Sequence, residues 1–123
     1  MQTYHPLYLS FFDYYHQGKY WEAHEVLEEL WQRQRQNDFY HGLIQIAAIM
    51  HQLQRGKIRG ARKLALSASR YLKPYAPKMD GVDVEQVLNW LEQLLQRLPD
   101  QIEVMSTREV ESLNISVCPL PVF

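Results

Sequence analysis

A histidine and a glutamate four residues apart, His24 and Glu28, are the first residues of this chain that could do chemistry. They stand in the run His24-Glu25-Val26-Leu27-Glu28. Residues at i and i+4 of a helix share a face, so an imidazole and a carboxylate at this spacing can converge on one ion. The run has the layout of the zinc-protease motif His-Glu-x-x-His, with glutamate in place of the last histidine. In that chemistry His24 and Glu28 hold a divalent metal and His51 is the third ligand. Glu25, beside the first histidine, is then the base. Glu28 is a second candidate for the acid–base role, because a carboxylate desolvated beside a histidine titrates away from its ordinary range. The replaced histidine weakens the motif, since His-Glu-x-x-Glu arises by chance in acidic helices. A purely structural alternative stands beside it. Glu28 accepts hydrogen bonds from His24, His51 or an indole N–H, and the network fixes helix register.

Trp31 and Gln45 widen the set to a ligand-binding group of His24, Glu28, Trp31, Gln45 and His51. Trp21 and Trp31 are read as core more readily than as stacking platforms. Gln45 falls on a polar stripe, where a place at the solvent edge is as natural as one in a pocket. His41 and His5 are expected at the surface or at helix caps. No serine, cysteine or lysine stands in a recognisable nucleophile setting. The chain has no phosphate loop or dinucleotide fingerprint.

Helices must position these groups. At 100° per residue, Tyr20, Ala23, Val26, Leu27, Leu30 and Trp31 fall on one arc of a helix from about Tyr20 to Arg35. Trp21 widens the arc, which predicts cover on two sides. Glu28 lies between the two tryptophans in angle and is expected to be buried, with His24 as partner. Glu22, Glu25 and Glu29 point away. A helix from about Phe39 to Arg55 is apolar over most of its circumference, with a polar stripe of His41, Gln45, Gln52 and Arg55. It is the expected central element, with His51 inside its apolar arc beside Ile44.

Around these, Leu7–His16 forms a first helix ended by Gln17-Gly18. Ile58, Ala61, Ala65, Ala68 and Leu72 mark a fourth. Pro74 and Pro77 break the chain into a loop. Asp83-Val84-Glu85-Gln86 caps a fifth helix that Pro99 stops. Ser106-Thr107-Arg108-Glu109 caps a short sixth segment through Leu113. The tail Ile115 to Phe123 contains Pro119 and Pro121, which exclude helix. It is read as an extended arm, residues 114–123, lying over the bundle or over a neighbouring subunit. A helix ending in glycine, followed by one with alanine at a packing position, occurs at Gly18/Ala23 and again at Gly56/Ala61. Two copies are too few for a solenoid, so a compact bundle is expected.

Several ordered blocks resemble a family. They are Gly18-x-Tyr20-x-Glu22-Ala23-His24-Glu25-x-Leu27-Glu28-x-x-Trp31, then Gly42-Leu43-Ile44-Gln45-x-Ala47, then His51, Arg55-Gly56 and Gly60-Ala61. Together they resemble the signature of a small helical domain of unknown function, over roughly Phe11 to Leu72. The resemblance implies an all-helical bundle. It marks His24, Glu25, Glu28, Trp31, Gln45 and His51 as hallmark positions, and it implies no substrate.

Composition bounds the rest. A chain of 123 residues suits one domain, 1–123, with one core. A net charge of −1 gives no general attraction to nucleic acid or anionic membrane. Lys57, Arg59, Arg62, Lys63, Arg70, Lys73 and Lys78 make a locally basic region, read as a solvated helix face. One cysteine, Cys118, excludes an intrachain disulfide and fits a reducing compartment. The start, Met1 to Pro6, lacks the basic and apolar regions of a signal peptide. No apolar run is long enough to span a bilayer. The tyrosine content favours interfaces and so a homo-oligomer or protein partner.

The expected fold is all-α, five to six helices with an extended C-terminal arm. The expected function is that of a small cytoplasmic binding or scaffold protein with a buried His/Glu cluster. The alternative is a metal-binding protein or hydrolase-like enzyme using His24, Glu28 and His51.

Overall fold

In the computed structural model, which describes residues 3–123, six α-helices carry the fold. They are α1 (Pro6–His16), α2 (Tyr20–Gln32), α3 (Asp38–Gln54), α4 (Ile58–Leu72), α5 (Val84–Arg97) and α6 (Thr107–Ser112). Residues 1 and 2, part of the expected domain and of the start read as leader-free, lie outside the described residues.

Local chemistry sets most of the helix ends. The ring nitrogen Nδ1 of His5 accepts the Leu7 N–H at 3.0 Å, and Pro6 takes the first helical position, where no N–H is missed. The Asn37 side chain accepts the Tyr40 N–H at 3.0 Å, and Asp83 accepts that of Gln86 at the same distance. Ser106 and Glu109 make a reciprocal capping box. α2 ends at Gln32, three residues before the expected Arg35. From Gln32 to Asp38 every side chain is polar, so packing no longer supports the helix.

The doubled glycine–alanine pattern is real in the structure. Gly18 (φ +75°) turns α1 into α2, and Gly56 (φ +68°) turns α3 into α4. Ala23 and Ala61, five residues on from each, are fully buried. A Cβ at Gly56 would lie 1.9 Å from the Met105 carbonyl oxygen, so glycine is required there twice over.

Between α4 and α5 the expected loop contains a small antiparallel hairpin. Its strands, β1 (Lys78–Met79) and β2 (Val82–Asp83), pair Lys78 with Asp83 and Met79 with Val82. Asp80 (φ 46°) and Gly81 (φ 80°) form the turn. Asp-Gly is the residue pair that a two-residue hairpin turn favours.

As expected, α3 is the central helix. Phe39, Leu43, Ile46, Ala47 and Ile49 have no solvent exposure. α4 crosses it closely: a Cβ at Gly42 would lie 2.5 Å from Cγ of Leu72. α1 and α2 pack on one another, and α2 packs on α3. α5 covers α4 with Val84, Val87, Leu91 and Leu94.

The C-terminal arm extends without helix or strand and lies on its own bundle. Tyr15 Oη donates to the Cys118 carbonyl oxygen at 2.8 Å. Trp90 Nε1 donates to that of Ser116 at 3.0 Å. His16 Nε2 contacts the Pro121 carbonyl oxygen at 2.8 Å. Phe123 closes against Phe12 (ring centroids 4.9 Å) and Tyr4 (5.0 Å).

Candidate functional site

α2, α3 and α4 leave one face of α3 uncovered, and the candidate residues gather there. The recess they form holds about 200 Å³. α2 contributes His24, Glu28 and Trp31 as one wall. Their 24/28/31 spacing puts three large side chains on one face. α3 supplies the floor with His41, Ile44, Gln45 and Ala48, and Leu64 of α4 closes the far side.

His24 Nε2 and Glu28 Oε2 are 3.5 Å apart, so the i,i+4 reading of the pair is met. Its depth is not as expected. The Glu28 side chain keeps 42% of its exposure and His24 keeps 19%. Glu28 is therefore a rim carboxylate and not a buried one. Trp21, read as core, is 49% exposed as well, so this side of α2 is not covered by a second layer. Its indole stacks on His24 at 5.0 Å and 10° between planes, and meets His51 at 5.3 Å.

His51 is half-buried and stands near the pair through Trp21. Its pKa is lowered, first by burial and then by the charges of Arg55 and His24, with Glu22 opposing. Among the described residues no three His, Cys, Asp or Glu side chains form a group that could hold a metal ion. Glu25 is exposed.

His41, expected at the surface or a cap, belongs to the site. Its ring lies between Trp31 (centroids 4.5 Å) and Tyr71 (4.3 Å), which makes an aromatic row across α2, α3 and α4. Burial lowers its pKa, with Asp38 and Glu28 opposing. Burial thus favours the uncharged ring. Its place was readable: it precedes Gln45 by four residues on the polar stripe of an otherwise apolar helix.

One feature marks this face off from the rest of the molecule. Among the described residues, four buried side-chain atoms find no hydrogen-bond partner in the protein: His24 Nδ1, Trp31 Nε1, Gln45 Oε1 and Gln52 Oε1. Three line the recess. The fourth, on Gln52, lies two helical turns along α3 from Gln45, on the same stripe. A buried polar atom left unpaired is destabilising by about 1–3 kcal/mol. Three around one recess suit partners that come from outside the fold.

An all-helical bundle with an open aromatic and polar recess is thus the class of protein defined here. A family model described as a domain of unknown function (DUF309) matches residues 8–64, which include all of α2 and α3 and much of the recess. The uncharacterized protein YpuF of Bacillus subtilis (strain 168) is 29% identical over 92 residues, covering 71% of this chain and 51% of YpuF. The chain thus spans about half the length of that relative. No solved structure matches. Among the described residues no helix is long and apolar enough to cross a membrane.

Proposed function

We propose that this chain is a small, single-domain binding protein of the cytoplasm, and that the α2–α3 recess is its recognition site. His24, Glu28, Trp31 and Gln45 line it, with His41 as a further wall and His51 behind Trp21. The observation that carries this reading is the set of three unpaired polar atoms, on His24, Trp31 and Gln45, that belong to residues lining the recess. A polar cluster serving only stability would be internally satisfied. At about 200 Å³ the recess is smaller than a drug-sized pocket, which suits one side chain or a fragment of that size. The reading includes protein partners and a second copy of the chain as carriers of that fragment.

The test is the indole N–H resonance of Trp31, assigned by its loss in Trp31→Phe. It is followed while acetylated amino-acid methylamides of basic, acidic, amide and apolar side chain are added in turn. At least one class should move it in a saturable way. If no class moves it, the recess is not a site for such groups and the reading falls.

The His24–Glu28 pair at 3.5 Å is the one observation behind a second reading, a divalent-metal site that His51 would complete only by moving, since as placed the three form no metal-holding group. Glu25 or Glu28 would then be the base of a hydrolase-like activity. Trp21, against both histidine rings, would have to move aside. Elemental analysis beside a His24→Ala/His51→Ala variant decides it. Stoichiometric metal in the parent, lost in the variant, supports the metal reading, and metal-free parent protein contradicts it.

A further inference from the structure

We infer that the group taken up by the recess is a guanidinium, entering beside Glu28 and against Trp31. This rests on the reading of the recess as a ligand site and adds the chemistry of the ligand.

The argument is a count of donors and acceptors. His24 Nε2 faces Glu28, and in the tautomer that carries its N–H there the unpaired Nδ1 is an acceptor. Gln45 Oε1 is an acceptor, and so are both oxygens of the Glu28 carboxylate. Against these stands one unpaired donor, the Trp31 indole N–H. An acceptor-rich pocket calls for a ligand rich in N–H groups. Guanidinium offers five donors in a fixed plane and no acceptor, so it can serve several of these atoms together.

One wall agrees with that chemistry. Trp31 lines the recess, and a planar cation is attracted to an indole. Trp31 already accepts one: the Arg35 guanidinium carbon lies 5.7 Å from its ring centre. No lysine or arginine lines the recess, and its only formal charge is the Glu28 carboxylate at the rim. The volume, about 200 Å³, is roughly the liquid share of six or seven waters, enough for a guanidinium and the first atoms of its carrier. The lone donor, Trp31 N–H, then needs an oxygen on that carrier. A peptide carbonyl beside an arginine side chain supplies one.

Three probes separate the outcomes on the Trp31 indole resonance: Nα-acetyl-arginine methylamide, agmatine and Nα-acetyl-norleucine methylamide. The arginine probe should bind at least about tenfold tighter than the norleucine probe, and Glu28→Gln should remove about that factor. If agmatine binds as well as the arginine probe, the ligand is a free alkylguanidinium. If agmatine binds tenfold more weakly, the carbonyl is used and the carrier is a polypeptide. Both outcomes support a guanidinium site. Equal binding of the arginine and norleucine probes, or full affinity in Glu28→Gln, overturns it. A shift caused only by acidic or amide probes overturns the guanidinium while leaving the recess a ligand site. No shift with any probe removes both.

Discussion

Two regions of this molecule are rich in aromatic rings with polar tips, and they treat those tips in opposite ways. Along α1, the hairpin and the C-terminal arm, each named tip is satisfied by a backbone carbonyl. Tyr8 Oη donates to Asp80 at 2.7 Å, Tyr15 Oη to Cys118 at 2.8 Å, and Trp90 Nε1 to Ser116 at 3.0 Å. Phe11, Phe12 and Phe123 fill the spaces between them. Along α2 and α3, His24, Trp31, Gln45 and Gln52 hold polar atoms just as deep and leave them unpaired. The first region is organised for stability. The second gives stability up, which is the usual mark of a site with another use.

That contrast can be broken or sharpened by mutation. Phe12, buried against Phe11, Tyr8 and Phe123, should be the most sensitive position. Phe12→Ala is expected to destabilise by about 3–5 kcal/mol in denaturant unfolding. A loss under about 1 kcal/mol would mean the seam is not the stable half.

Alkaline pH should come next. Burial, with smaller contributions from nearby groups, raises the phenol pKa of both Tyr8 and Tyr15 far above the usual 10. Both stay neutral when folded, while the unfolded chain loses their protons above pH 10. Stability is therefore full below pH 10 and falls as pH rises beyond it, by roughly 2 kcal/mol between pH 10 and 11 for the two together. Flat stability over that interval would show the phenols to be open to solvent.

Tyr15→Phe is expected to destabilise by about 1–2 kcal/mol at neutral pH, since it leaves the Cys118 carbonyl without its donor. The same variant should lose part of the alkaline sensitivity. Smallest of all, Glu28→Gln should change stability by less than about 0.5 kcal/mol, because its ion pair with His24 is half exposed. A loss above about 2 kcal/mol would return Glu28 to a structural role and erase the contrast.

Much of the architecture was legible from the sequence because it rests on local signals. Gly18, Gly56, Asn37, Asp83 and Ser106 mark helix ends by chemistry that does not depend on distant residues. The centrality of α3 followed from the narrowness of its polar stripe. The hairpin was not legible, because its strands are only two residues long, too short for an alternating pattern, and the nearby Pro74 and Pro77 signal only a break. In the recess, i,i+4 spacing correctly joined His24 to Glu28. Depth was not legible, because it depends on which other helices lie over a face, and no periodicity encodes that. Glu28 and Trp21 lie shallower than their angles predict. His41 lies deeper than its polar stripe predicts, since the rings of Trp31 and Tyr71 that enclose it come from other helices.

The most direct test of the recess as a site held open at the expense of stability is denaturant unfolding of Gln45→Met. Methionine matches glutamine in length and helix propensity and sits well against Ile44, Ala48 and Leu64. It removes the unpaired Oε1. The variant should be more stable by about 1 kcal/mol, or roughly 3–6 °C in Tm, and should bind the arginine probe more weakly. A variant less stable than the parent by 1 kcal/mol or more would show that Gln45 works for the fold, and would contradict the assignment of this recess as a ligand site.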